Sequence, residues 1–276
     1  MSERARMLDE MRRLAAKAAT LVREAYAKDF RIDYKSPDDP VTEVDRAANE
    51  LLCTELARSF PGIPIVAEES DPVSFDARLG GGPTFFVDPI DGTRDFILKN
   101  GEFAVMIGFA DGGRARLGVV DCPAWDRSYA GGEGVPTYVV DHDGVAATLP
   151  SARTAARPLE TLHALVSRSR GDATRAVLAR MGVSNVSLRG GAGVKSVGVV
   201  ASEADLYLQV GRAGKLWDSC APEALAIGAG LRLTDPFGRR YDYARSALDL
   251  SQGVLVAAPA VHDAIVNKLT ELGIEA

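Results

Sequence analysis

The amino-acid sequence predicts an α/β fold with two unlike halves, α+β as far as about Pro150 and α/β beyond it. Three observations predict it. Apolar residues recur at helical spacing as far as Leu56; short apolar runs separated by Gly, Pro and Asp clusters follow; strand-like and helix-like segments then alternate from Ala164 onward. The Ser, Ala and Arg of Ser151–Arg157 read as a linker, which divides the chain into subdomains 1–150 and 151–276.

From Met7 to Ala25, the residues Leu8, Met11, Leu14, Ala18, Leu21, Val22 and Ala25 share one face with Arg and Lys opposite, which predicts a long amphipathic helix. Pro37-Asp38-Asp39-Pro40 reads as a loop, and a second helix opens near Thr42 with Val44, Ala48, Leu51, Leu52 and Leu56 inward. Strands are expected at Ile63–Ala67, Thr84–Val87, Phe103–Phe109, Ala115–Val120 and Thr137–Val140, with hairpin turns at Asp111-Gly112-Gly113 and Asp143-Gly144. The second half continues with a strand at Ala164–Ser167, a helix Asp172–Met181, a strand Val186–Leu188, a helix Val194–Ser202 and a strand Leu206–Val210. A helix Ser219–Ala229, strands near Leu231–Thr234 and Val254–Ala258, and a helix Ala260–Leu272 close the chain.

Hydrophobic residues at 46% and charged residues at 25% describe an ordinary globular chain with enough apolar surface for a sizeable core. The net charge of -6 opposes nucleic-acid binding, while an anionic small molecule held through metal ions stays compatible with it. No run approaches the roughly 20 apolar residues of a membrane span. Ser2 to Lys28 alternates charged and apolar residues, unlike a secretory signal, so a cytoplasmic protein is expected. Cys53, Cys122 and Cys220 are odd in number and widely spaced, which reads as reduced thiols. With no Cys-x₅-Arg loop, and with His142, His163 and His262 scattered, the sequence argues against phosphatases that use a Cys or His nucleophile.

Chemistry concentrates in Phe85-Phe86-Val87-Asp88-Pro89-Ile90-Asp91-Gly92-Thr93, where an apolar strand runs into two aspartates three residues apart. Carboxylates at that spacing can converge on one cation, with the Ile90 carbonyl as a third oxygen, a hard donor set that favours Mg²⁺. Gly92 allows close approach of backbone to an anion, and Thr93 opens a helix toward a phosphate. A strand followed by a Pro-Asp-Gly turn explains the same residues without function. Four other segments can complete a centre. Ile65-Val66-Ala67-Glu68-Glu69-Ser70 ends a strand in two acids, of which alternation lets one reach a given site. Asp218, in Leu216-Trp217-Asp218-Ser219-Cys220-Ala221-Pro222-Glu223, also fits a helix N-cap, with Pro222 in the first turn. Thr42-Glu43-Val44-Asp45 fits a capping box as well. Gly190-Gly191-Ala192-Gly193-Val194-Lys195-Ser196 is a glycine-rich helix entry that fails the P-loop pattern, since Val194 precedes the lysine, and close helix-strand packing explains it equally.

Together these motifs resemble the Mg²⁺-dependent, lithium-inhibited phosphatases of the inositol monophosphatase superfamily, over nearly the whole chain and in family order. The matching residues are Lys35, Pro40-Val41-Thr42 with Asp45, Glu68-Glu69-Ser70, Val87 to Thr93, and Trp217-Asp218. Arg94-Asp95, Asn100-Gly101-Glu102-Phe103, Ser167-Arg168-Ser169, the Gly190–Lys195 loop and Trp217 to Glu223 look most like the 3'(2'),5'-bisphosphate nucleotidases of that superfamily. One departure is Arg170, where many nucleotidases place His; a guanidinium can hold phosphate bidentately, so nucleotide selectivity is left open.

The resemblance implies a layered αβαβα sandwich whose first subdomain carries most metal ligands and whose second carries the substrate loop and Asp218. It implies two or three Mg²⁺ ions, one held by Glu69, Asp88 and the Ile90 carbonyl and another by Asp88, Asp91 and Asp218. Asp45, Thr93 and Glu69 are then the catalytic residues, directing a metal-activated water at the 3'-phosphate of adenosine 3',5'-bisphosphate to give AMP. Gly92, Thr93, Ser167, Arg170, Gly191 and Lys195 are the implied substrate contacts. The implied partner is a phosphorylated small molecule, with a monomer favoured over a homodimer. Inositol monophosphate or fructose 1,6-bisphosphate are the alternative substrates, and a catalytically silent metal- or nucleotide-binding regulator is the alternative class.

Overall fold

The N-terminal apolar stripe forms helix α1 (Glu3–Tyr26), capped by the Ser2 hydroxyl on the Ala5 N–H. Leu8, Met11, Leu14 and Val22 are buried along it, each contributing roughly 1.5–3 kcal/mol. The computed structural model describes residues 2–37, 39–147, 149 and 156–274. The expected boundary at Pro150 and most of the expected linker, 151–155, lie outside the described residues.

The loop expected around Pro37–Pro40 is instead the bend of a hairpin, β1 (Ile32–Ser36) antiparallel to β2 (Asp39–Thr42), with Asp38 outside the described residues. Pro40 is tolerated there because both strands of a two-stranded ribbon are edges. Helix α2 (Glu43–Ser59) follows directly.

Strands β3 (Ile65–Ala67) and β4 (Thr84–Asp91) precede a five-residue helix α3 (Thr93–Ile97). Then come β5 (Ala104–Asp111), β6 (Arg114–Cys122), β7 (Arg127–Gly132), β8 (Val135–Val140) and β9 (Ala146–Ala147). β3 to β9 form one seven-stranded sheet in sequence order, parallel only between β3 and β4. The two expected hairpin turns join β5 to β6 and β8 to β9. β7 has no counterpart among the expected strands, because Gly131 and Gly132 dilute its apolar signal.

The second half runs β10 (His163–Ser167), α4 (Asp172–Arg180), β11 (Asn185–Arg189), α5 (Ala192–Val200), β12 (Leu206–Val210), α6 (Leu216–Gly228), β13 (Arg232–Thr234), β14 (Gly253–Ala257) and α7 (Pro259–Glu271). Its five-stranded sheet has the order β11-β10-β12-β14-β13, parallel among the first three and antiparallel at β14.

Apolar faces dictate the stacking. α1 and α2 cover one face of the seven-stranded sheet through Leu14, Leu52, Phe85, Val87, Val105 and Ile107. α5 and α6 fill the space between the sheets, where Phe86, Met106 and Val120 meet Val194, Leu216, Cys220 and Ala221, with Leu165, Tyr207 and Val256 across the layer. α4 and α7 close the far face through Leu178, Val261, Ile265 and Leu269. The result is the expected αβαβα sandwich, and we propose the two sheets as the cores of two subdomains sharing the middle helical layer. Among the described residues, no helix is long and apolar enough to cross a membrane.

α6 lies unusually close to the sheet. A Cβ on Gly108 would sit 2.6 Å from the Cys220 side chain, and one on Gly118 would sit 2.4 Å from the Ala221 carbonyl, so glycine at both positions lets the helix down onto β5 and β6. α6 also begins three residues earlier than expected. Pro222 is therefore inside the helix rather than in its first turn, and the carbonyl it cannot serve is that of Asp218.

Candidate metal centre and active site

Three carboxylates converge where β4 ends and α6 begins. Asp88, Asp91 and Asp218 each present an oxygen, all within 4.8 Å of one another. Asp88 and Asp91 are buried and Asp218 is half-buried. Pairing of β4 with β5 shifts register between Asp88 and Asp91, and the irregular Pro-Ile step lets both side chains face one place.

Backbone N–H groups aim these acids. Asp88 Oδ1 accepts from the Ile90 N–H at 3.1 Å, and Asp218 Oδ2 accepts from the Lys215 N–H at 2.7 Å. Asp91 Oδ1 and Oδ2 accept from the N–H groups of Ala192 and Gly193 at 2.8 and 2.7 Å, in the first turn of α5. Asp218 is therefore not the N-cap expected from sequence; Lys215 holds that position and Asp218 sits in the first turn.

Burial pushes the Asp218 carboxyl up to about 8, with Asp91 and Glu68 adding to it. Asp88 is driven well above the usual carboxylate range by burial and then by Glu68, Asp91, Asp218 and Asp45. Burial also raises Asp91, against the pull of Lys195 and its two backbone donors. Converging oxygen donors that resist ionisation together are the donor set a divalent cation relieves, so these residues fit the metal expected from sequence.

Glu69 is the fourth acid expected from sequence; neither it nor Glu68 is among the three carboxylates that converge. Val66 pairs with Phe86 in the parallel ladder, and the Glu68 N–H continues it onto the Val87 carbonyl at 3.1 Å. β3 ends at Ala67, so Glu68 and Glu69 both lie in the turn that follows it. The charge of Glu68 bears on Asp88, Asp91 and Asp218. Glu69 is raised to about 7 by burial, opposed by its hydrogen bond from Lys35. Lys35 Nζ bonds both glutamates, at 3.0 Å to Glu68. Burial works against its ammonium, but the two carboxylates outweigh it and hold Lys35 above its ordinary value. The partnership of both glutamates with Lys35, which comes from β1, had no local signal in the sequence.

Asp45 joins the start of α2 to Thr93. Its Oδ2 accepts from the Thr42 N–H at 2.8 Å and from the Thr42 hydroxyl, completing the capping box of α2, while its Oδ1 faces Thr93 Oγ1 at 3.0 Å. The Thr93 hydroxyl also lies 3.2 Å from the Ile90 carbonyl, so the third expected oxygen ligand borders the same place. Burial raises the Asp45 carboxyl above its ordinary value, its hydrogen bonds opposing. Gly92 is left-handed, with φ 89°, and a Cβ there would lie 3.0 Å from the Glu102 carbonyl.

The expected substrate residues divide. Arg170 is exposed, and its charge reaches Lys195, Tyr207 and Asp218. Ser167 Oγ, at the end of β10, accepts from the Arg170 N–H at 3.3 Å. Lys195, expected to touch substrate, is buried and donates to the carbonyls of Gly190 and Gly191, the latter at 2.7 Å, because α5 begins at Ala192 and turns the lysine back onto its own N-terminus. Burial lowers its ammonium to about 8 despite Asp91 and Asp95. Gly191 is buried too, with no room for a Cβ, which would sit 2.3 Å from Asp91 Oδ2. The glycine loop is thus packed against Asp91 rather than open as a cradle.

The inositol monophosphatase family model matches residues 3–273. The chain is 33% identical over 254 residues to 3'(2'),5'-bisphosphate nucleotidase CysQ of Escherichia coli O157:H7, covering 91% of this chain and 99% of that protein. The protein of that name from Buchnera aphidicola is 29% identical, covering 88% and 89%. Among solved structures, Mycobacterium tuberculosis SuhB is 28% identical with a TM-score of 0.76, covering both chains fully at 100%. The suhB extragenic suppressor protein of Bartonella henselae, 22% identical, superposes with a TM-score of 0.79 over 96% of this chain and 98% of that one.

Proposed function

The chain belongs to the inositol monophosphatase family, and from that premise we propose that it is a Mg²⁺-dependent phosphomonoesterase converting adenosine 3',5'-bisphosphate to AMP and phosphate. The observation that carries the chemistry is the convergence of Asp88, Asp91 and Asp218 beside the Thr93–Asp45 pair. The nucleotide substrate rests on the bisphosphate nucleotidase relatives, which match over nearly their whole length.

Glu68, Asp88, Asp91 and Asp218, with the Ile90 carbonyl, would hold the ions, and hard oxygens of this kind suit Mg²⁺. Four carboxylates balance two divalent cations, and the substrate's own phosphate can accompany a third. Once bound, Mg²⁺ supplies Lewis-acid stabilisation of phosphoryl charge and lowers the pKa of water. The protein's part is orientation and proton handling. Thr93 Oγ1 donates to Asp45 Oδ1 and so keeps a lone pair facing outward to accept from the attacking water; Asp45 receives the proton relayed through that hydroxyl. Gly92 and Thr93 N–H groups face the transferring phosphoryl group. Arg170 and Ser167 hold the second phosphate, and Lys195 and Gly191 support them from behind by fixing the loop. We take the enzyme to act as a cytoplasmic monomer.

Phosphate release measured side by side on adenosine 3',5'-bisphosphate, inositol 1-phosphate and fructose 1,6-bisphosphate, with Mg²⁺ and with or without lithium, tests this reading. A clear preference for the bisphosphate nucleotide and inhibition by lithium are expected. Preference for inositol phosphate or fructose bisphosphate would keep the metal chemistry and overturn the substrate, and silence on all three would overturn the enzyme.

A further inference from the structure

Beyond the groups that face the cation, the structure holds a second acidic and basic network behind the glycine loop. Glu102 lies just before β5, and its Oε2 accepts from the Gly190 N–H at 2.7 Å, while its carbonyl accepts from the Gly191 N–H at 3.3 Å. The same Oε2 pairs with the Arg168 guanidinium, whose Nε also lies 3.4 Å from Asp95 Oδ1. Asn100 ties the pair together, donating to Asp95 and accepting from the Glu102 N–H at 2.9 Å. Space is as tight as the bonding. A Cβ on Gly190 would sit 2.5 Å from the Asp95 carboxyl and 2.6 Å from the Glu102 carbonyl.

The turn fixed in this way delivers the Ala192 and Gly193 N–H groups to the two oxygens of Asp91. A carboxylate has about four lone-pair directions, so one backbone donor on each oxygen leaves each a second lone pair for a cation. We propose that Glu102 and Arg168 are positioning residues for the metal centre: by clamping Gly190 and Gly191 they set the α5 N-terminus, which in turn sets the rotation of Asp91. Arg168 comes from the end of β10 and Glu102 from the entry to β5, so the clamp also spans the two sheets and links their relative placement to the geometry of the acids. The inference rests on the reading that Asp91 holds a cation, and it is independent of which phosphate ester is cleaved.

Calorimetric titration of Mg²⁺ into the full chain, wild type against Glu102→Ala, Glu102→Gln and Arg168→Gln, tests it, with kcat, KM and the metal-free melting temperature measured alongside. Partners that orient metal ligands typically change affinity by about 10- to 100-fold, and a clamp acting one step further out belongs at the low end. Glu102→Ala is expected to weaken Mg²⁺ about tenfold, and Glu102→Gln to recover most of that, since its amide oxygen can still accept from Gly190. Arg168→Gln is expected to weaken Mg²⁺ severalfold with little change in metal-free melting temperature, Arg168 being 40% exposed; this variant reports even if Glu102→Ala fails to fold. Affinities within twofold of wild type in Arg168→Gln and in every Glu102 variant that folds would overturn the proposal. A wild-type protein that binds no Mg²⁺ would overturn it together with the metal centre. One that binds Mg²⁺ with these dependences but cleaves no nucleotide would support the clamp and refute only the substrate.

Discussion

Replacing Asp45 separates two tasks carried by one carboxylate. Oδ2 caps α2 and Oδ1 takes the Thr93 hydroxyl, so alanine removes both and asparagine removes one. Loss of an N-terminal capping interaction costs about 1 kcal/mol. Alanine also leaves the proton of the buried Thr42 hydroxyl without its acceptor, at roughly 1–3 kcal/mol. With about 2–4 °C per kcal/mol for a chain of this size, Asp45→Ala is expected to melt roughly 4–16 °C lower. In Asp45→Asn the amide oxygen can turn toward the Thr42 N–H, and the site no longer holds a carboxyl that burial and Glu68 oppose ionising, so this variant is expected to melt close to wild type. Its amide nitrogen then faces Thr93 and accepts no proton, and the loss of a positioned general base lowers kcat by about 10²–10⁴. Differential scanning calorimetry with steady-state phosphate release reads both effects. Asp45→Asn with kcat within threefold of wild type would refute the proton relay and leave Asp45 as a cap alone.

Glu68→Gln is expected to raise the Mg²⁺ concentration needed for half-maximal turnover by at least about tenfold, and Glu69→Gln to change it far less; a Mg²⁺ titration of both variants decides, and the reverse order would restore Glu69 to the centre. Glu223, buried under Tyr243 on α6, has its carboxyl raised from 4.5 to about 7 by burial, with the Tyr243 hydrogen bond pulling the other way. A folded-state pKa above the unfolded one gives stability that is complete below about pH 4.5 and lost as pH rises through about 7, up to roughly 3 kcal/mol. Glu223→Gln is therefore expected to lose less stability than wild type between pH 5 and 8 in urea titrations, and parallel losses would contradict the assignment.

Most elements were legible because their apolar residues report one face at a time. β12 was expected at its observed bounds, Leu206–Val210, and α1, α4 and α7 within a few residues. The misses share a cause: local chemistry outvoted by distant packing. Pro37 and Pro40 spoke for a loop, yet a two-stranded ribbon forms where Lys35 must reach Glu68 and Glu69. Gly191 and Gly193 spoke against helix, yet α5 starts among them because only glycine fits against Asp91 and Met106. Pro222 spoke for a helix start at Ser219, yet α6 begins at Leu216. At the site, Asp88 and Asp91 announce themselves in one nine-residue motif. The buried turn of Lys195 and the Glu102–Arg168 pair depend on helix placement and inter-sheet contact, which spacing along the chain does not encode.

The most direct measurement is a crystal structure of the Mn²⁺-soaked protein, phased to show anomalous scattering. Density among Asp88, Asp91 and Asp218, with the Glu68 carboxylate and the Ile90 carbonyl oriented toward it, is the predicted result. An anomalous map with no peak among the three aspartates at saturating Mn²⁺, or a peak held by Glu69 instead of Glu68, would contradict the metal centre described above.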